Sequence, residues 1–223
     1  MKRAIATSVL LALFATGASA ADLIIDEAVA IPDSVFDWEG FYIGVHGGWL
    51  AGSGVVNIPA YPAQPITVGT TGFLLGAHGG YNWAVAPSFI LGLEGDVNWT
   101  NANGSTISNG GPPGELYQIN QTWFASLRGR IGWTADNVLL YATAGLAATS
   151  LSTQYVPLAG GVQTAVVGGW TAGVGAELAF TEQVTGRIEY RYTDYNQASY
   201  VHLGPSTVDY VTHAVTAGLS LHF

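Results

Sequence analysis

From Asp209 to Phe223 the chain alternates. Val211, Val215, Ala217, Leu219, Leu221 and Phe223 fall on one face, and Tyr210, Thr212, Thr216, Ser220 and His222 on the other. A period of two with one apolar and one polar face predicts a β-strand. An amphipathic strand left as an open edge would template aggregation. Pairing it with the first strand of a closed barrel removes the edge.

The same period recurs upstream. Trp38 to Leu50 reads as the first strand, with Phe41, Ile43, Val45, Gly47 and Trp49 on one face and Tyr42, Gly44, His46 and Gly48 on the other. Gly72 to Ala84 is the second, showing Phe73, Leu75, Ala77, Tyr81 and Trp83 outward. Ser88 to Thr100 is the third, with Phe89, Leu91, Leu93, Val97 and Trp99 opposed to Glu94, Asp96 and Asn98. The fourth, Ile119 to Thr134, sets Trp123, Ala125, Leu127, Ile131 and Trp133 against Thr122, Ser126, Arg128 and Arg130. Val138 to Leu151, Ala165 to Phe180, and a segment from the Thr181-Glu182-Gln183 turn to Tyr195 supply three more before the closing strand.

Short turns near 86, 136 and 182 alternate with long Gly-, Pro- and Asn-rich loops near 60, 109, 158 and 202. This asymmetry belongs to outer-membrane barrels, and an even strand count returns both termini to the periplasm. The expected fold is therefore all-β, a transmembrane eight-stranded antiparallel up-and-down β-barrel.

Aromatic spacing sharpens the expectation. Phe73 and Trp83, Phe89 and Trp99, Trp123 and Trp133, and Trp170 and Phe180 each stand ten residues apart within one predicted strand. An even separation keeps both members on one face. Ten residues at the usual rise and tilt span about 25 Å, the height of the apolar band between two interfacial aromatic girdles.

Composition then narrows the class. Half the chain is hydrophobic (49%) and only 9% is charged, yet no run beyond the first residues approaches the ~20 apolar residues of a membrane helix. Alternation produces that combination. Lys2 and Arg3, the apolar run from Ala4 to Ala15 and the small residues Ala18-Ser19-Ala20 read as a secretory signal peptide over residues 1–20. Residues 21–37, acidic and holding Pro32, read as a periplasmic lead-in, and 38–223 as the barrel. There is no cysteine, so thiolate metal sites and disulfides are excluded. After residue 20 there is no lysine, and the basic side chains are Arg128, Arg130, Arg187 and Arg191. No basic patch is available for nucleic acid.

In combination, Trp38-Glu-Gly-Phe-Tyr-Ile-Gly-Val-His-Gly-Gly, Gly79-Gly-Tyr-Asn-Trp, Leu91-Gly-Leu-Glu-Gly-Asp-Val, Ser126-Leu-Arg-Gly-Arg-Ile-Gly, Arg187-Ile-Glu-Tyr-Arg-Tyr and terminal Phe223 carry a resemblance. The chain resembles the small outer-membrane immunogenic, surface-antigen proteins of Gram-negative bacteria, grouped with OmpA-like eight-stranded barrels. The resemblance implies a structural or antigenic surface protein with no catalytic motif and no cofactor. It also implies an assembly signal at Phe223, read by the barrel-assembly machinery through the last strand. Expected partners are outer-membrane lipid and lipopolysaccharide, with host or phage ligands at the four long loops.

Extended inward, the alternation gathers every arginine after residue 20, matched by four acids, into the lumen: Glu94, Asp96, Arg128, Arg130, Glu177, Arg187, Glu189 and Arg191. An Arg facing lipid would cost about 2–4 kcal/mol at midplane. Counting from the turns sets Glu177 opposite Arg187 and Arg130 opposite Thr143. This suggests two clusters, Glu94/Asp96 with Arg128/Arg130 and Glu177/Glu189 with Arg187/Arg191. The same residues serve a salt-bridged filling of the bore or a narrow charge-lined path for ions or small solutes, and both readings stay open here. His46 and His78 face inward near the height of Glu94, where ordinary hydrogen bonding competes with a metal site or proton relay. A lipid-modifying enzyme would need a Ser/His/acid site on the lipid face. His213, Thr149 and Ser150 are the available groups there, and no motif joins them.

Overall fold

The computed structural model describes residues 36–57, 66–107, 116–156, 162–201 and 205–223. The strands are β1 (Gly40–Asn57), β2 (Ile66–Ala86), β3 (Phe89–Thr100), β4 (Asn103–Ile107), β5 (Leu116–Ala135), β6 (Val138–Val156), β7 (Gln163–Ala179), β8 (Val184–Val201) and β9 (Pro205–His222). Each pairs antiparallel with its neighbours, and β1 pairs with both β2 and β9, so the sheet closes on itself. β3 and β4 are one staggered strand interrupted at Asn101–Ala102, and both pair with β2 and β5. The ring is thus eight-stranded. The long-loop segments expected near 60, 109, 158 and 202 centre on residues outside those described, as do residues 1–20 and most of 21–37.

Alternation works as the sequence predicts over most of the wall. Tyr42, His46 and Leu50 are buried inside β1 while Phe41, Ile43, Val45 and Trp49 are exposed. Around the ring the outer surface between the aromatic positions is apolar, with Leu75, Leu93, Leu127, Leu146, Val174, Ile188 and Leu219 all exposed. A water-soluble sheet would bury such residues; here the polar face is the buried one.

Three departures have physical causes. First, the strands are longer than the alternation suggested. Much of the stretch read as a loop from Ala51 to Thr71, and of that from Asn196 to Val208, is paired strand, because its polar outward residues alternate with apolar inward ones such as Val56, Val68, Tyr200 and Val208. Second, bulges invert the alternation. The register of β5 against β6 shifts between Gln121 and Phe124, so Thr122 and Trp123 both face outward and the inward set changes from Ile119 and Gln121 to Phe124, Arg128 and Arg130. Thr122 is therefore not a lumen residue. An extra residue in one strand does this by leaving two residues opposite one. A similar shift between Tyr195 and Ala198 turns β8 over. Third, Trp38 is not part of the first strand. It precedes Gly40, whose φ of 126° is open to glycine, and it turns into the mouth of the barrel with Phe36.

The interior is layered. At the end carrying the short turns, Phe36, Trp38, Ile90, Leu139 and Tyr141 form an apolar cluster. Trp38 Nε1 donates to the Asp136 carbonyl at 3.2 Å, and Asn82 Nδ2 donates to the Trp38 carbonyl at 3.1 Å. Charged residues occupy the middle. At the other end Val56, Val68, Ile119, Leu151, Tyr195 and Tyr210 belong to a second apolar cluster.

Small residues make room for the long ones. Inward-facing Gly145 on β6 lies opposite Arg128, and a methyl group there would stand 2.6 Å from Arg128 Cα and overlap the Leu127 carbonyl. Outward-facing Gly95 has no such neighbour within 3.8 Å. Gly145→Val is therefore expected to abolish the heat-modifiable folded form on refolding into detergent. Gly95→Ala is expected to refold to the wild-type level.

Candidate functional site

The site is the middle layer of the lumen. Strand register places its members at neighbouring heights: Glu94 opposite Arg128 between β3 and β5, Glu177 opposite Arg187 between β7 and β8, and Arg130 opposite Thr143 between β5 and β6. Four arginines and four carboxylates meet there, so the formal charge cancels.

The ion pairs cross the bore rather than follow the register. Arg128 pairs with Glu94, and through Nη1 with Glu189 at 2.7 Å; Asp96 lies 3.4 Å from its Nη2. Arg187 reaches Glu94 and Glu189, each at 2.7 Å. Arg191 bridges Asp96 and Glu189, each at 2.9 Å. The two clusters suggested by the sequence are therefore one network. Arg130 departs further: its partner is Glu177, on β7, and not Glu94 or Asp96. Thr185 and His222 also bond to Glu177, at 2.5 and 3.4 Å, while Arg187, directly opposite in register, turns away to Glu94. In a closed ring the shortest route between long side chains runs through the middle, and pairwise register does not describe it.

Two tyrosines, unassigned any role from the sequence, complete the layer. Tyr42 donates to Glu94 at 2.9 Å and Tyr141 to Glu189 at 3.1 Å. The Arg130 guanidinium lies 3.9 Å from the Tyr141 ring centroid and 5.4 Å from that of Tyr42. Cation–π attraction is strongest when desolvated, and it compensates a guanidinium whose Nε and Nη1 have no hydrogen-bond partner. The inward position of Tyr42 was visible in the alternation. Its task depends on a residue 52 positions away.

His46 and His78 meet beside this network, Nδ1 to Nδ1 at 3.0 Å. Their outer partners fix the protons. Asn98 Nδ2 donates to Asp96, so Asn98 Oδ1 accepts from His46 Nε2 at 2.6 Å. With both rings neutral, His46 Nδ1 then accepts from His78 Nδ1, and His78 Nε2 accepts from the Ser220 hydroxyl at 2.9 Å. In that state the chain of donors runs from Ser220 to Asp96. The pair acts as hydrogen-bonding members of the lumen, and among the described residues no three metal-ligating side chains come together.

The groups weighed for lipid hydrolysis do not assemble. His213 faces outward and its Nδ1 bonds to Tyr190 Oη at 2.7 Å. Thr149 is buried inside the barrel, donating to the Trp123 carbonyl at 2.8 Å and accepting from Gln121 at 2.9 Å. Ser150 is buried in the wall.

On the outside, Phe73, Trp83, Phe89, Trp99, Trp123, Trp133, Trp170 and Phe180 are all exposed. Register sets Trp49 opposite Phe73 and Trp99 opposite Trp123, and Phe41 opposite Tyr81 and Phe89 opposite Trp133. Phe223 is exposed just beyond β9, its N–H bonded to the Phe41 carbonyl at 3.0 Å.

A closed antiparallel ring with an apolar belt, aromatic borders and a charged interior is a transmembrane β-barrel. Comparison with known proteins makes this specific: residues 8–223 match the family model described as the outer membrane protein beta-barrel domain, and the chain belongs to that family. It is 30% identical over 241 residues, covering all of both chains, to the 31 kDa outer-membrane immunogenic protein of Brucella melitensis biotype 1. It is 30% identical over 187 residues, 83% of this chain and 78% of the relative, to the 22 kDa outer membrane protein of Rhizobium leguminosarum bv. viciae. Among solved structures it is similar in fold to the outer membrane protein OprG of Pseudomonas aeruginosa, with a TM-score of 0.50 and 14% identity over 83% of this chain and 97% of that one. The protein is an outer-membrane barrel related to the outer-membrane immunogenic proteins.

Arg128 is fully buried and bonds to Glu94, Glu189 and Thr143. Removing one member of a buried pair leaves an uncompensated charge, at a cost of about 3–5 kcal/mol. Arg128→Ala is expected to lower the thermal midpoint in detergent clearly. Arg128→Met, of similar length, should lower it as well, because Glu94 and Glu189 lose the same cation. Unfolding followed by heat-dependent gel migration checks both.

Proposed function

We propose that the protein is a structural, surface-displaying barrel whose lumen is closed by its own side chains and whose long loops face the exterior. The observation that supports a closed lumen best is the charge-matched layer itself: Glu94 and Arg128 have no solvent-exposed side-chain surface. Apolar clusters lie at either end. A conducting path would need hydrated charge along its length.

In this reading residues 1–20 are removed as a signal peptide, and both termini and the turns at 86, 136 and 182 are periplasmic. Loops carried above the membrane are where antibodies, host factors or phage would make contact. The names of the relatives, outer-membrane immunogenic proteins, support such display. Phe223, exposed at the end of the closing strand, suits recognition by the barrel-assembly machinery, and the aromatic rings suit the two membrane interfaces. Catalysis has no place in this reading, since Thr149 is committed to structural hydrogen bonds inside the barrel and Ser150 is buried in the wall.

Two measurements test it. Epitope tags inserted at Pro62, Gly110, Gly160 or Gly204 are expected to be reached by antibody on intact cells, and tags at Ala86, Asp136 or Glu182 only after permeabilisation; the reverse pattern would invert the orientation. In planar bilayers the purified wild-type barrel is expected to show no steady ohmic conductance. A defined single-channel step would instead make it a small channel.

A further inference from the structure

The barrel wall is closed across its apolar belt and comes apart at one place beyond it. β7 and β8 pair from Ala179–Thr185 up to Gly169–Tyr195. Past that height β7 continues to Gln163 against β6, and β8 continues to Val201 against β9. Among the described residues no strand pairs with β7 on its β8 side beyond Gly169. The separation starts at the bulge between Tyr195 and Ala198, which turns β8 over. Ala198 and Tyr200 are buried, and the Tyr200 hydroxyl donates to the Leu151 carbonyl of β6 at 3.1 Å, so the outer part of β8 is held inward. In hydrocarbon such a split would leave backbone groups bare at several kcal/mol each. It begins only beside the exposed Trp170, where the belt ends.

Backbone parity shows what the edge of β7 offers. The Ala179 N–H bonds to Asn137, on the β6 side, and the Phe180 N–H to Val184, on the β8 side. Successive residues of a strand alternate in this way, and no bulge interrupts β7. Thr164 and Val166 therefore direct N–H and C=O to the side that β8 has left. Their side chains face outward, Val166 being 69% exposed, and Val167 between Val166 and Gly168 is buried. From Thr164 to Gly168 the edge reads Thr-Ala-Val-Val-Gly, with neither charge nor proline. Those are the devices that ordinarily keep an edge from pairing. Behind the split Leu151, Val167, Tyr195, Ala198 and Tyr200 belong to one apolar cluster, so it is an edge and not a portal.

We propose that this edge of β7 is a docking site for an extended segment of another protein, which adds to the sheet as a strand antiparallel to β7. A peptide backbone is the ligand whose donors and acceptors repeat at strand spacing, and main-chain bonds then supply the affinity. An apolar side chain beside Val166 would cover it as the strands pair. A second copy of this barrel does not fit. In one membrane its β7 runs in the same direction, and with both strands tilted by about 35–45° the two edges cross instead of aligning. That the edge lies outside the cell rests on the orientation proposed above, which the tag experiment tests separately; the edge itself does not depend on it.

The test uses the folded barrel in detergent and a fluorescein-labelled peptide of alternating threonine and valine, with terminal lysines for solubility. The peptide is expected to bind saturably by fluorescence anisotropy and to slow hydrogen exchange at the Thr164 and Val166 amides. The same peptide N-methylated throughout keeps its side chains and loses its backbone donors, and should bind about tenfold more weakly or worse. Val166→Pro removes an N–H that faces the open edge and no bond to β6. It is expected to keep the wild-type thermal midpoint and to lose peptide binding. Ala165→Pro removes an N–H that serves β6 opposite Leu151, and should lower the midpoint. The absence of saturable binding would overturn the proposal, as would binding that the N-methylated peptide or Val166→Pro retains. Should Val166→Pro fail to refold, the two peptides and the amide exchange of the wild-type barrel decide alone.

Discussion

Pairing of β1 with β9 is the contact on which the rest depends. In the hydrocarbon of a bilayer an unpaired backbone N–H or C=O costs several kcal/mol, so a sheet there cannot have an edge. Sixteen residue pairs from Tyr42–His222 to Asn57–Thr207 join the two strands nearest the ends of the chain. Once the ring closes with eight strands, the bore is only wide enough for side chains. Each residue of the wall then has two destinations, lipid or lumen. Period two along every strand follows from that choice, and so does the inverted burial pattern, with charge inside and leucine outside.

Confinement explains the chemistry of the interior. A guanidinium is planar, always charged and able to serve two carboxylates at once, where an ammonium is a strongly hydrated point charge. Arg128, Arg187 and Arg191 each bridge two or more acids on different strands. Glu189 and Glu94 in turn each accept from more than one arginine. The shared partners tie β3, β5 and β8 together across the bore, an attachment the backbone ladder does not supply. Inward glycines such as Gly145 leave the volume these side chains need. The network therefore depends as much on what is missing from the wall as on the charges themselves.

The ends of the barrel obey different requirements. Phe36 and Trp38 fold back into one mouth and contact His222, whose ring stacks on Tyr42. The segment that leads into the barrel thus also covers its mouth, adding apolar burial where the charged layer would otherwise meet water. At the opposite end the strands outrun the belt, and tyrosine and aliphatic side chains pack the interior as in a soluble barrel. A wall of that kind stands upright without lipid around it.

Strand existence, strand count, the outward aromatics and the inward charges were legible in the residues, because a barrel wall leaves each position only two environments and the alternation records them. Register around the tight turns was legible too, since two or three residues of turn allow little slippage. What the sequence did not disclose lies in three places. Where a bulge adds one residue, at Gln121–Phe124 and Tyr195–Ala198, the alternation changes phase, and a polar stretch such as Thr122 loses its assignment. Polar outward residues above the belt also imitate a loop, so the upper halves of β1, β2 and β8 were hidden. The partner choice of Arg130, which passes over its neighbours to reach Glu177, was beyond one-dimensional reasoning altogether. Strand order says who is adjacent along the wall; only closure in three dimensions says who faces whom across the bore.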